Sequence, residues 1–177
     1  MNETTNFLLD TLQIILPALI VAGAMYAVIK NYQDRDYKTR LLELRMKNAE
    51  VVLPIRLQAY ERVVLFLERI SPSSLLLRVS SAGQSATEYQ RLLLSEIRNE
   101  FNHNMSQQVY MTEQAWQQVK HAREETVNLI NRTMQELPEH SKGSDLAKKT
   151  LENILASETD PTARAINFLK KEIGQVF

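Results

Sequence analysis

The sequence predicts an all-α protein, with one N-terminal transmembrane helix followed by a cytoplasmic multi-helix bundle. Three observations carry this prediction. An apolar run of eighteen residues lies near the amino terminus, and basic residues cluster only on its carboxyl side. Beyond it, apolar residues recur at intervals of three and four, which is the period of an amphipathic helix. The chain contains only four Gly and five Pro, so few turns interrupt this pattern.

The apolar run is "LQIILPALIVAGAMYAVI", residues 12–29, in which Gln13 is the only side chain that must form a hydrogen bond. As a helix it covers about 27 Å, close to the thickness of a hydrocarbon core. A buried core helix and a cleaved signal peptide are the alternatives. A signal peptide normally begins with basic residues, whereas residues 1–29 contain no Lys or Arg. We therefore predict a transmembrane helix over residues 12–29.

Basic residues follow this span within about twenty positions, the distance over which the positive-inside rule operates. They are Lys30, Arg35, Lys38, Arg40, Arg45 and Lys47. The rule places residues 1–11 outside the cytoplasm and everything after the span inside it. Cations near a membrane surface also attract anionic lipid headgroups. Residues 30–50 are thus predicted to form a basic juxtamembrane helix, with Lys30, Arg35, Lys38 and Arg40 as candidate headgroup contacts.

Residues 51–177 are predicted to form the cytoplasmic helical domain. A helical pattern runs from residue 34 to residue 70 and carries one apolar stripe. The stripe comprises Leu41, Leu44, Val52, Ile55, Ala59, Val63, Phe66 and Ile70. Pro54 interrupts this pattern. Because proline removes one backbone hydrogen bond and crowds the preceding turn, we expect it to bend or break the helix.

Five further helices are indicated by residues that favour helix starts. Ser71-Pro72 indicates a helix to about Val79, and Ser85 with Glu88 indicates a helix to about Met105. Thr112 indicates the start of a helix that Pro138 ends. Ser144 indicates a helix to about Ser157, and Asp160-Pro161 indicates the start of the last helix.

Three of the predicted helices each carry one charged residue on the apolar face: Arg56 on the helix after Pro54, Glu100 on the helix that Ser85 starts, and Arg123 on the helix that Thr112 starts. Burying an unpaired charge costs several kcal/mol. We therefore expect Glu100 to meet Arg56, Arg123 or both, with Asn104 satisfying the remaining donors. In the alternative interpretation the same groups, together with His103, line a polar cleft for an anionic or polar ligand. The sequence leaves both interpretations open.

Composition and motifs exclude several classes of function. The chain has no Cys, which excludes disulfides, thiolate metal sites and a cysteine nucleophile, and its 21 basic and 21 acidic residues give no overall attraction to nucleic acid. Glu100 and His103 have the spacing of a di-iron bundle ligand pair, but no second such pair exists. No phosphate-binding loop or nucleophile elbow occurs. We predict no catalytic residue, metal or cofactor, and an enzyme is the less expected class.

Several segments resemble a known group of proteins. They are "VLPIRLQAYERVVLFLERISPSSLLLRV", "EIRNEFNHNMSQQVYMTEQAW" and "FLKKEIGQVF", together with the hydrophobic amino terminus. The chain resembles an uncharacterised family of short, single-span, membrane-anchored helical proteins of Bacteroidetes-type bacteria, with a domain of unknown function. The resemblance implies a bacterial inner-membrane protein and supplies no catalytic residues.

These observations favour a membrane-anchored cytoplasmic helical protein that acts as a protein-interaction adaptor or accessory subunit. Its partners would be the membrane, which it crosses once, and either another protein or a second copy of itself; nucleic acid is not among them. Ala18 with Ala22 and Gly23 with Ala27 are small-residue pairs that could let two spans approach. The alternative is a ligand-binding or enzymatic helical domain that uses the polar cleft.

Overall fold

The structure, a computed structural model, describes residues 2–157 and 160–176, and it describes side chains from residue 15 onward apart from those of residues 34 and 176. The side chains of the predicted extracytoplasmic segment, 1–11, and of Gln13 lie outside the described part. The all-α prediction is confirmed, because the described residues form six α-helices and one short 3-10 helix and no strand. The helices are α1 (Asn2–Ile70), α2 (Pro72–Arg78), α3 (Ala86–Asn104), α4 (Glu113–Gln135), α5 (Gly143–Ser157) and α6 (Ala163–Val176), with the 3-10 helix at Met105–Tyr110.

The chain divides into two compact units, Met1–Val52 and Leu53–Phe177, and α1 contributes to both. In the first unit every described side chain is exposed, and several large apolar ones are exposed by more than half, among them Leu19, Val21 and Met25. α1 is the helix, among those described, that is long and apolar enough to cross a membrane. Its apolar stretch near the amino terminus is not buried inside the protein.

Of the two outcomes expected at Pro54, a bend or a break, the break does not occur, because α1 continues through this residue to Ile70. Proline has no N–H group, so the usual bond to the carbonyl of Glu50 cannot form. A single missing bond is tolerated where long helical segments lie on both sides of it. The boundary between the two compact units nevertheless falls at Val52 and Leu53, immediately before the proline.

The second unit has one hydrophobic core, to which all six α-helices contribute. α3 packs against α4 and α5, and α4 packs against α5 and α6. Phe101 lies at the centre of an aromatic cluster, with its ring centroid 5.6 Å from that of Trp116 and 5.9 Å from that of Phe66. The core therefore joins the carboxyl-terminal part of α1 to the helices that follow it.

The predicted apolar stripe of α1 belongs to this core only in its second half. Ala59, Val63, Phe66 and Ile70 are buried, whereas Leu41, Leu44, Val52 and Ile55 are exposed. Helical periodicity identifies which side of a helix is apolar, but it contains no information about how far along the helix other elements pack against that side.

Most of the predicted helix starts are present. The Ser85 hydroxyl and the Glu88 carboxylate form the capping box of α3, and Thr112 caps α4 by accepting a bond from the backbone N–H of Ala115. The Ser85 backbone N–H and hydroxyl also hold the pKa of the Glu88 carboxyl below its usual value. The cap predicted at Ser144 is wrong, since α5 already begins at Gly143.

Gly143 lies where two loops meet, and its N–H donates to the Gln84 carbonyl at 2.9 Å. A Cβ atom at this position would lie 3.0 Å from the Ser81 carbonyl oxygen and 3.1 Å from Cβ of Tyr89. The Ser81 oxygen is a backbone atom, so it cannot rotate away.

We expect Gly143→Ala to lower the free energy of unfolding by about 1–3 kcal/mol, the range for a forced fit in a packed region. Urea denaturation of the full chain in mild detergent, followed by circular dichroism, measures the change. Gly174→Ala is the matched control, because nothing lies within 4 Å of a Cβ at this helical position. Alanine there should leave stability unchanged or raise it by up to about 1 kcal/mol. Equal stability of Gly143→Ala and the parent would mean that the two loops are not held at this distance.

Candidate functional site

The residues singled out in the sequence as a polar cluster lie in the second unit, and the structure distributes them among three settings. Within this set, the described residues show one direct hydrogen bond. The Asn104 side-chain amide donates to the Glu100 backbone carbonyl at 2.8 Å. Arg56, His103 and Arg123 have other surroundings. Each setting is described separately below.

Glu100 is partly buried, with a side chain only 15% exposed. Its Oε1 atom lies 2.7 Å from Nη2 of Arg69 and 3.9 Å from Nη2 of Arg78. Arg78 in turn bonds Oε2 of Glu96 at 2.7 Å. Glu100 is therefore partly buried and paired, but its partners are Arg69 and Arg78 rather than the expected Arg56 or Arg123.

This difference has a geometric cause. Arg69 is at the end of α1 and Arg78 is at the end of α2, and both are more exposed than Glu100, at 53% and 33%. Long arginine side chains can reach a buried carboxylate from the surface while their charge stays partly in water. A helical projection identifies residues on an apolar face, so it overlooks a partner that approaches from the edge.

Asn104 is 7% exposed at the last residue of α3. Its side-chain amide donates to the Glu100 backbone carbonyl one turn earlier in the same helix. This bond lies within the last turn of α3 and does not join Asn104 to another helix. His103, one residue earlier, is exposed.

Arg123 packs on an aromatic ring rather than on an acid of the core. Its guanidinium carbon lies 4.3 Å from the centroid of Phe101, within the range of a cation–π contact. The same side chain lies 3.7 Å from the carboxylate of its neighbour Glu124. Arg123 also lines an open surface groove whose other members include Arg98 and Asn128 but not Arg56, Glu100 or His103.

Arg56 belongs to a small cluster that the sequence did not indicate. Its Nε atom donates to the Tyr110 carbonyl at 3.2 Å, and the nearby Tyr60 hydroxyl donates to Oε1 of Glu172 at 2.7 Å. Burial raises the pKa of Tyr60, and the bond to Glu172 and the charge of Glu172 raise it further. The other oxygen of Glu172 is buried without a hydrogen-bond partner. This cluster links α1 to α6 and the 3-10 helix.

The arrangement has the character of structural pairing. Among the described residues, no three His, Asp or Glu side chains converge in a way that could hold a metal ion. A further groove formed by α4, α5 and α6 is lined by the acidic residues Glu125, Glu136 and Asp160 and by the basic residues Arg132 and Arg164, so side chains of both signs are mixed along it. Of the three surface grooves considered, one is lined by Arg123, and none is lined by Arg56, Glu100 or His103.

We expect Glu100→Gln to lower the free energy of unfolding by about 0.5–1.5 kcal/mol, less than loss of a fully buried pair would cost. The reason is that Arg69 and Arg78 can turn into water when the carboxylate charge is removed. Urea denaturation measures the difference. The double variant Glu100→Gln, Arg69→Met should cost less than the sum of the two single changes, since the residues are in contact.

Glu61→Gln serves as a control at an exposed position within α1, where the change should stay within about 0.5 kcal/mol. A loss of about 4 kcal/mol in Glu100→Gln, or full additivity with Arg69→Met, would show that the Arg69 pair does not account for the burial of Glu100.

The predicted lipid contacts Lys30, Arg35, Lys38 and Arg40 lie on the part of α1 that belongs to the first unit, and all four are exposed. Arg40 forms an ion pair of 2.9 Å with Asp36 one turn earlier. Such exposed pairs contribute little and are easily exchanged. These four cations are thus accessible, and their contact with headgroups stays a prediction.

Comparison with known proteins gives one match. The model of a protein family matches residues 6–176, and that family is described as a family of unknown function, DUF7935. No protein with a curated function and no solved structure gives a significant match to the chain.

Proposed function

This chain belongs to DUF7935, a family of unknown function, and on that premise we propose that it is a membrane-anchored helical protein of the bacterial inner membrane. Its first unit crosses the membrane once, and its second unit is a cytoplasmic module. The module works through contacts with other proteins, as an adaptor or accessory subunit.

The exposed apolar stretch of α1 is the observation on which this proposal depends. Ile20, Val21 and Met25 are each more than 60% exposed, and the described side chains from residue 15 to residue 29 are all exposed. A continuous apolar surface of this length is unfavourable in water, and lipid would cover it. Residues 12–29 have the length of a span, and the cations that follow them support a cytoplasmic location for the second unit.

Two features support protein contact over ligand chemistry. Glu100, Arg56 and Arg123 have partners within the fold, as expected of groups that fix how helices pack. The surface of the second unit also exposes large apolar side chains, among them Leu77 at 89% and Leu155 at 78%. A ligand-binding or enzymatic role would require Arg56, Glu100, His103 and Arg123 to converge, and in the described residues they occupy separate places.

The predicted topology provides the first test. A reporter active only in the cytoplasm should work when it is fused after residue 177, because all the cations near the span lie on that side of it. A fusion of the same reporter to residue 1 should be inactive. If a reporter active only in the periplasm works at residue 177, the proposed orientation is wrong.

Purification of the tagged full chain from membranes, after chemical cross-linking in cells, tests the role. A second protein recovered in a fixed molar ratio, and lost when residues 31–177 are deleted from the tagged chain, supports an adaptor or accessory subunit. Recovery of the chain alone in every cross-linking condition, together with a bound small molecule, would contradict it.

A further inference from the structure

The segment of α1 between residues 36 and 51 repeats every seven residues. Tyr37, Leu44 and Val51 are seven apart, and Leu41 and Asn48 follow the first two of them by four. Alternating steps of four and three place all five along one narrow stripe, as at the contact positions of a coiled coil. We call these five residues the seam. Asn48 is its one polar member.

The seam has no partner in the described part of the first unit. Tyr37 is 69% exposed, Leu44 59%, Val51 65% and Leu41 38%, and Asn48 is also exposed. α1 is the helix that forms this unit. A helix with an apolar stripe of this kind gains stability when the stripe packs against another helix.

The charged residues beside the seam follow the same seven-residue repeat. Lys38 and Arg45 occupy one edge, and Arg40 and Lys47 occupy the other, at the positions that flank a coiled-coil contact. The acidic residues of the segment are also seven apart and lie on the side away from the seam: Asp36, Glu43 and Glu50. The seam is therefore bordered by positive charge on both edges.

We propose that the seam binds one α-helix of a protein partner as a coiled coil, and that this partner helix carries Glu or Asp at its own flanking positions. Apolar residues of the partner face Tyr37, Leu41, Leu44 and Val51. Because both edges of the seam have the same sign, an acid-flanked helix is complementary in either direction. A polar partner residue opposite Asn48 fixes the register, since a buried Asn without a hydrogen bond is unfavourable.

A second copy of the chain fits this surface poorly. In a parallel pair, Arg40 of one copy would lie beside Arg45 of the other, at the positions where coiled coils place opposite charges. In an antiparallel pair each basic edge would lie against itself. Both arrangements juxtapose like charges, which disfavours self-association and favours an acidic partner.

A lipid surface also fits poorly, and this step rests on the proposed function because the span fixes where the seam lies. α1 is helical without interruption through this region, and no Gly or Pro occurs between residues 24 and 53. Leu41 thus lies roughly 18 Å beyond Ile29 along the helix, farther than the depth of a headgroup layer, about 5–8 Å. The same rise puts Lys38 and Arg40 roughly 13 and 17 Å beyond Ile29, so of the four predicted headgroup contacts Lys30 and Arg35 are the two that stay near the lipid. To lie flat on the membrane, the helix would have to break at a place where the sequence has no Gly or Pro.

Arg40 is available for a partner helix, because its described ion pair, with Asp36, is exposed and easily exchanged.

The test uses the full chain in lipid nanodiscs that hold one copy each. Because the chain has no Cys, Asn48→Cys provides a single site on the seam for an environment-sensitive fluorophore. Glu50→Cys provides the matched site on the opposite side. The probe is a synthetic helical peptide of three heptads with Glu at the flanks and Leu at the contact positions, except for one Asn placed to face residue 48. It is compared with a twin that carries Lys at the flanks.

The acidic peptide should bind about tenfold more tightly than its basic twin at low salt, because four flanking pairs change sign between them. It should shift the emission of the label at residue 48 to the blue and leave the label at residue 50 unchanged. The variant Arg45→Glu, Lys47→Glu should reverse the preference between the two peptides. That reversal distinguishes charge recognition from simple loss of folding.

Three results would overturn the proposal. Equal binding of the two peptides, or binding of neither, would show that the seam does not select an acid-flanked helix. A blue shift that appears in discs of anionic lipid without any peptide would assign the seam to the membrane. A blue shift that appears only in discs loaded with two copies would assign it to self-association. Co-elution of the chain with the discs is measured separately. A chain that does not co-elute contradicts the proposed membrane anchor but not the seam proposal, and the two peptides are then compared in detergent.

Discussion

Deletion of residues 1–30 should convert a membrane-bound protein into a soluble, helical one. The deletion removes the exposed apolar stretch of α1, which has no packing partner among the described residues. It leaves intact the unit Leu53–Phe177, which contains the whole hydrophobic core. The free energy that holds a helix of this length in a bilayer is large, so the change in partitioning should be close to complete.

Fractionation of cells that express the full or the truncated chain measures this effect. The full chain should stay in the membrane fraction through an alkaline carbonate wash, which removes proteins bound only at the surface. The truncated chain should appear in the soluble fraction with the circular dichroism of a helical protein. If the truncated chain is unfolded or aggregated, the amino-terminal part of α1 stabilises the second unit, and the simple anchor is wrong.

Phe101→Ala should produce the largest loss of stability of any single change considered, about 3–5 kcal/mol. Phe101 is 9% exposed and lies between Phe66 and Trp116, so its removal leaves a cavity in the aromatic cluster. It also removes the ring on which the Arg123 guanidinium packs. Partial collapse of the neighbours would place the result at the lower end of the range.

Urea denaturation followed by circular dichroism gives the free energy, and tryptophan emission gives a local signal because Trp116 is the single tryptophan of the chain. Leu77→Ala is the control, since a side chain that is 89% exposed should change stability by less than about 0.5 kcal/mol. A loss below about 1 kcal/mol in Phe101→Ala would show that the aromatic cluster does not anchor α3 to α1 and α4.

Much of the helical organisation was predictable because it depends on residues close together in the sequence. The capping box of Ser85 and Glu88 and the Thr112 cap involve atoms within three residues of each other. An exception arose where a contact from a distant part of the chain competed with a local signal. Ser144 is a good cap residue, but the backbone of Gly143 is already held by the Gln84 carbonyl of a distant loop, so the helix starts earlier.

The candidate site was less predictable, because its contacts join residues far apart in the chain. The Tyr60 hydroxyl meets Glu172, 112 positions later. A buried tyrosine signals that some hydrogen-bond partner exists, but it does not identify that partner. The same limit explains Glu100, whose burial followed from its helical face while its pairing with Arg69 depended on which helix end lies beside it.

By itself the sequence determined the helical class, most helix starts, the apolar run and the seven-residue repeat of α1, since each depends on periodicity or on neighbouring residues. The tertiary structure decided where the core ends along α1, that α1 continues through Pro54, and which arginines reach Glu100. Those outcomes depend on which surfaces meet in three dimensions. Periodicity gives the direction in which a side chain points from its own helix, and only packing determines what lies in that direction.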